Sequence, residues 1–201
     1  MENIKKQFQD ILNNSILPML KSTGFRKKGL NFHTISGEID WCVNIQKARW
    51  GCDEDATSWD FAVNLGITTS VCQKLMYDTR IVFPLVSQCV LSSNLKRLAD
   101  VGGDWITLSL SQSPDKIEEW IYDSLVNVLF PIVKKIHSTY TLRAEIDSLL
   151  SSFRFPSPIQ KYAFLLSIGN EDAAQDLIKG LISTGCNVEL MEKINQRFQS
   201  L

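Results

Sequence analysis

IDWCVNIQKARWGCDEDATSWDFAVNLGI, residues 39–67, carries the fold in its alternation. Ile39, Trp41, Val43 and Ile45 occupy every second position, and after a polar interval Phe61, Val63, Leu65 and Ile67 do the same. A period of two belongs to a strand with one buried face, because successive side chains leave a pleated backbone on opposite sides. Two such runs joined by a loop read as neighbouring antiparallel strands. The loop holds Trp50 and Trp59 near its ends and the acids Asp53, Glu54 and Asp55 between them, so the stretch is also the first place to look for a site.

Upstream, Leu30 and Phe32 point one way and Asn31 and His33 the other, and Ser36-Gly37-Glu38 puts a glycine where a tight turn needs positive φ. That makes a hairpin into Ile39. Downstream, Gly102-Gly103 precede a further strand in DWITLSL, residues 104–110. Between these, the pattern gives a short strand near residues 81–83 and a helix over 91–98. Helical spacing governs both flanks: Ile4, Phe8, Ile11, Leu12, Ile16, Met19 and Leu20 form one stripe that Gly24 ends, and Ile117, Trp120, Ile121, Leu125, Leu129 and Ile132 form another after Ser113-Pro114. Each stripe carries a late proline, Pro18 or Pro131, followed by lysine. The proline removes a backbone donor, which predicts a kink or a loosened last turn.

Past about residue 138 no strand pattern appears. Phe155-Pro156-Ser157-Pro158 separates a short helix from a helical hairpin, KYAFLLSIGNEDAAQDLIKGLISTG, residues 161–185, with a Gly169-Asn170 turn and a stop at Gly185. The hairpin resembles one unit of a helical repeat and is read as a cap on the sheet or on a second subunit. The expected fold is therefore α+β: a mostly antiparallel sheet of four to five strands, covered on one face by two long helices, with a C-terminal bundle of short helices. Residues 1–137 form the sheet domain, and residues 138–201 form a helical extension packed on the same core.

Composition excludes more than it selects. With 21 Lys and Arg against 22 Asp and Glu, the formal net charge of -1 gives no general attraction for phosphate backbones or anionic membranes. The basic turn Arg26-Lys27-Lys28 is read as solvated surface, so nucleic acid is a disfavoured partner. No run approaches the roughly 18 apolar residues that span a bilayer, and the amino terminus lacks a signal-peptide core. No membrane role and a cytoplasmic location are expected. The five cysteines, Cys42, Cys52, Cys72, Cys89 and Cys186, show no C-x-x-C spacing, and His33 and His137 are the only histidines. Reduced thiols, no metal site and no cofactor are expected. Gly102-Gly103 lack the following lysine and hydroxyl of a phosphate loop.

Alternation also sorts the faces. If Trp41, Val43, Ile45, Phe61, Val63 and Leu65 pack under the helices, then Asp40, Cys42, Asn44, Gln46 and Asn64 share the other face, with Asn31 and His33. Amides both donate and accept, which suits them to reading a backbone or polar ligand and makes them poor at moving protons. The candidate binding residues are Asn44, Gln46, Asn64, Arg49, Trp50 and Trp59, with no catalytic residue assigned. A competing reading groups His33, Asp40 and Cys42 as an enzyme site acting on a small polar substrate.

The segments LKSTGFRKKGLNFHT (residues 20–34), VNIQKAR (43–49) and FAVNLGI (61–67) together resemble the bacterial family of domain of unknown function 4304. The resemblance runs from about Ile4 through the strand at Trp105, with a looser likeness in the C-terminal helices and a departure between Cys72 and Val101. It implies a fold group and brings no catalytic residues with it. The favoured expectation is a non-catalytic protein-interaction module that engages an unknown protein partner through the polar sheet face and the Trp50 to Trp59 loop. At family level this takes the form of an immunity-type or regulatory partner, and the C-terminal helices are a candidate homodimer surface.

Overall fold

The structure is a computed structural model and describes residues 4–48, 57–183 and 189–201. Its centre is an antiparallel sheet of six strands: β1 (Arg26–Lys28), β2 (Asn31–Ser36), β3 (Ile39–Lys47), β4 (Ser58–Thr69), β5 (Leu91–Asn94) and β6 (Ile106–Ser109). The first five lie in chain order, and β6 pairs with β4 beyond the end of β5. β3 and β4 form the spine, in register from Ile39 opposite Thr69 to Lys47 opposite Phe61. Gly37, at φ 61, makes the β2–β3 turn.

The sheet is α+β as expected, with strands added in two places. β1 is the basic run Arg26-Lys27-Lys28, fully exposed at the sheet edge. It carries no alternation because neither of its faces is buried, and its cations protect the edge from pairing with other chains. β5 occupies part of the segment read as helix. There the helix, α4 (Leu95–Leu98), starts only after Asn94, whose side-chain oxygen caps it by accepting from Arg97 N at 2.9 Å. The strand expected near residues 81–83 is instead loop, and a helix that alternation did not signal, α3 (Ser70–Tyr77), follows β4 directly, capped by Thr69.

Two long helical rods cover the Trp41 face. One runs through α1 (Ile4–Ile11) and α2 (Leu17–Ser22), and the other through α5 (Pro114–Asp123) and α6 (Phe130–Lys135). Each rod widens into π-helical turns, Leu12–Ile16 and Ser124–Leu129, just before its proline region at Pro18 and Pro131. The widening has a steric cause. A proline ring collides with the carbonyl four residues back, and a turn closed over five residues moves that carbonyl aside. The rods are tied by Ser15 Oγ donating to Glu118 Oε2 at 2.6 Å. Ile4, Phe8, Ile11, Ile121, Leu125 and Leu129 meet Trp41, Val43, Phe61 and Leu65 in the main core.

The remaining helices are α7 (Thr139–Ala144), α8 (Ile146–Leu149), α9 (Pro158–Ser167), α10 (Glu171–Ser183) and α11 (Glu189–Gln199). α9 carries apolar residues on two sides because it is buried on both: Phe164 belongs to the main core, while Tyr162, Ala163 and Leu166 join Leu75, Met191 and Ile194 in a second cluster. From α11, Arg197 Nη1 reaches back to the carbonyls of Leu75 and Met76 at 2.8 and 3.2 Å, closing the end of α3. The stop read at Gly185 falls outside the described residues.

Candidate functional site

The face of the sheet opposite the rods is divided. Its lower half is sealed by α3, the loop that follows it and the short turn Val86–Gln88. Here His33 and Asp40, 0% and 1% exposed, face each other diagonally between β2 and β3, with His33 Nε2 2.6 Å from Asp40 Oδ1. Asp40 Oδ2 accepts from Gln73 Nε2 at 3.0 Å, and Gln73 Oε1 accepts from the Ile81 amide at 2.7 Å. The chain of bonds runs from strand to helix to loop. The Phe83 ring lies 5.4 Å from the imidazole. Cys42 donates to the Pro84 carbonyl at 3.2 Å, and Gln160 of α9 donates to the Cys89 carbonyl at 2.7 Å.

His33, Asp40 and Cys42 are thus neighbours, as the enzyme reading required, and they are closed to solvent. Burial pushes the Cys72 thiol up, and burial with the adjacent Cys42 thiol pushes Cys89 well above its ordinary range. Such thiols stay protonated and are poor nucleophiles. The arrangement is an internal polar clamp that satisfies a buried carboxylate and fixes the loop over the sheet.

The upper half is open. Asn44 Nδ2 donates to Asn31 Oδ1 at 2.9 Å, and Asn64 Nδ2 to Gln46 Oε1 at 2.9 Å and to Asn44 Oδ1 at 3.5 Å. An amide ladder therefore crosses three strands. Beside it β5 ends its register at Asn64 and β6 begins its own at Phe61, leaving Ala62 and Val63 without a strand on that side. A cleft of about 260 Å³ opens there. Gln46, Asn64 and Asn94 line it, with Arg97, Arg154 and Asp104. Asp104 accepts from Asn94 and, at 3.1 Å, from Arg97 Nη2. Trp105, 37% exposed, completes the wall.

Residues 16–135 match the family described as Domain of unknown function (DUF4304). The chain belongs to this family. The DUF4304 match begins inside the first rod and ends with the second, so it takes in all six strands, whereas the likeness read from the sequence starts earlier and stops at Trp105. Gln46, Asn64, Arg97 and Asp104 fall inside the DUF4304 span, and Arg154 falls beyond it. No curated protein and no solved structure matches this chain.

Of the binding residues expected from sequence, Asn44, Gln46 and Asn64 sit together on the open face of this DUF4304 chain. Trp59 does not join them. β4 already begins at Ser58, so alternation turns Trp59 into the core, 8% exposed and 5.3 Å from Phe8. Arg49 and Trp50 fall outside the described residues. Reasoning from sequence missed Asn94, Arg97, Asp104, Trp105 and Arg154. The pattern Asn94-Leu95-Lys96-Arg97 signals a helix cap and could have placed the first two. Arg154 had no local signal, because it reaches the cleft only through a backbone bridge to Ser92. Among the described residues no three His, Cys, Asp or Glu side chains converge on a metal-sized site, and no helix is long and apolar enough to cross a membrane.

Proposed function

We propose that the protein is a non-catalytic interaction module whose amide-lined cleft engages a segment of another protein. One observation carries the reading: the polar side chains of this sheet face are divided between a sealed clamp and an open cleft, and only the cleft can reach a partner. It offers side-chain amides and guanidinium groups for hydrogen bonding and an exposed indole for apolar contact, a composition suited to interfaces. The clamp, with His33, Asp40 and Cys42 all buried, has no path to a substrate, which weighs against an enzyme built on these three residues. Three free buried thiols, Cys42, Cys72 and Cys89, fit work in a reducing cytoplasm. The partner is of regulatory or immunity type.

The test is the double substitution Gln46→Ala/Asn64→Ala. Gln46 is exposed and Asn64 half-buried, so the variant keeps its fold, which circular dichroism checks. The expected result is that the tagged wild type captures a stoichiometric partner from its source cells and the variant loses it. Full capture by the folded variant would remove the cleft from the reading.

A further inference from the structure

The cleft is unevenly supplied with charge, and the imbalance names its ligand. Its wall holds two guanidinium groups and a single carboxylate, Asp104. That carboxylate is already engaged by Arg97 and Asn94. Arg154 has no side-chain partner among the described residues, yet its backbone is fixed: its amide donates to the Ser92 carbonyl and its carbonyl accepts from the Ser92 amide, both at 2.9 Å. Arg154 thus lines the cleft from a fixed backbone, and the one carboxylate of that cleft is already paired, so the Arg154 guanidinium has charge to offer an anion. The amide ladder leans the same way. Gln46 Oε1 and Asn44 Oδ1 are used as acceptors by Asn64, which leaves Gln46 Nε2 as a spare donor at the cleft.

Arg97 and Asp104 also line a second concavity of about 620 Å³, walled by Asp100, Gly102, Gly103 and Ser151; Arg154 lines only the first, so Asp100 keeps the anion-binding end at Arg154. Trp105 adds an apolar surface beside the cations.

We infer that the cleft takes an acidic peptide segment, with an aspartate or glutamate carboxylate of the partner held by the Arg154 guanidinium and an adjoining apolar side chain against Trp105. This deepens the interaction-module reading and rests on it. A guanidinium–carboxylate pair is a fork-on-fork hydrogen bond with charge on both sides, so exchanging either partner for a neutral isostere is expected to weaken binding about tenfold.

The experiment uses the full chain, ¹⁵N-labelled, at low ionic strength, with the Trp105 indole N–H resonance identified through Trp105→Phe. Three probes are titrated: the capped peptide acetyl-Gly-Glu-Phe-Glu-Gly-amide, its counterpart with both glutamates replaced by glutamine, and inorganic phosphate. The acidic peptide is expected to move the Trp105 resonance and to bind about tenfold more tightly than the glutamine peptide, with Arg154→Gln abolishing that difference while the spectrum stays that of a folded protein. Three outcomes overturn the inference: equal binding of the two peptides, an acidic-peptide affinity unchanged in Arg154→Gln, or saturation by phosphate alone, which would mark a small-anion site. Absence of any shift at millimolar peptide overturns it too. If the acidic peptide fails while Gln46→Ala/Asn64→Ala still loses its cellular partner, the carboxylate assignment falls and the interaction module stands.

Discussion

Asp40 is a buried carboxylate with three points of support: the His33 imidazole at 2.6 Å, Gln73 at 3.0 Å and, through Gln73, the backbone of Ile81. Removing it strands a buried imidazole and a buried amide together, and breaking a buried pair from one side costs about 3–5 kcal/mol. Asp40→Ala is therefore expected to lower the unfolding free energy by that amount without touching the cleft, which urea denaturation of the variant will check through a lower midpoint. Gly66 is a second point of strict fit. A Cβ there would lie 2.6 Å from Cys89 Sγ and 2.9 Å from Cys89 Cβ, so Gly66→Ala should cost about 1–3 kcal/mol through overpacking. Adding Cys89→Ala should recover part of the loss, because it withdraws the sulfur. The same burial governs reactivity. Cys42, Cys72 and Cys89 are 0–1% exposed, so a thiol reagent followed by peptide mass mapping should modify them only as fast as the chain unfolds. Rapid labelling of Cys42 in the native protein would reopen the enzyme reading.

The β2–β3 turn and the start of α7 meet through Glu38. Its carboxylate accepts from the Thr139 amide at 2.8 Å and the Thr139 hydroxyl at 2.9 Å, an external cap for the first turn of a helix that also has its own, Ser138. Those hydrogen bonds hold the Glu38 carboxyl below its ordinary value of 4.5, the backbone bond contributing most. A lowered folded-state value means that ionised Glu38 favours the folded state; that stability is complete above about pH 4.5 and is lost as pH falls through the lower folded value. The stability difference between wild type and Glu38→Gln should accordingly be flat near neutrality and shrink below pH 4.5, as read from urea midpoints at stepped pH. Gly37 makes this junction possible, since a Cβ there would sit 2.0 Å from the His137 carbonyl oxygen. In the rods, proline and π-turn recur together, so the same steric problem received the same local solution twice.

α9 joins the molecule's two apolar clusters, with Phe164 and Ile168 in one and Tyr162, Leu165 and Leu166 in the other. Unfolding the C-terminal helices alone would expose one whole side of α9 and the Leu75 side of α3. A single cooperative transition is expected, with tryptophan fluorescence, to which Trp41 and Trp59 in the main core contribute, coincident with far-ultraviolet circular dichroism, which reports on all helices. Two resolved transitions would show that residues 138–201 are a separate folding unit. The sequence determined, by itself, what depends on neighbours along the chain: the alternation of β2, β3 and β4, the division of Asn44, Gln46 and Asn64 from Trp41 and Val43, the two apolar stripes, and the helix start at Ser113. It left β1 and β5 unread, because an exposed edge of three residues and a strand of four have too few periods to signal. It also left open whether the amide face was covered, because cover is a property of distant segments. Only the tertiary structure decided that α3 and its loop seal His33, Asp40 and Cys42 while the gap between β5 and β6 stays open. Only it brought Arg154, 57 positions beyond Arg97, to the same cleft. Local patterning fixes which way a side chain points; what it then faces is set by long-range packing, which no stretch of sequence contains.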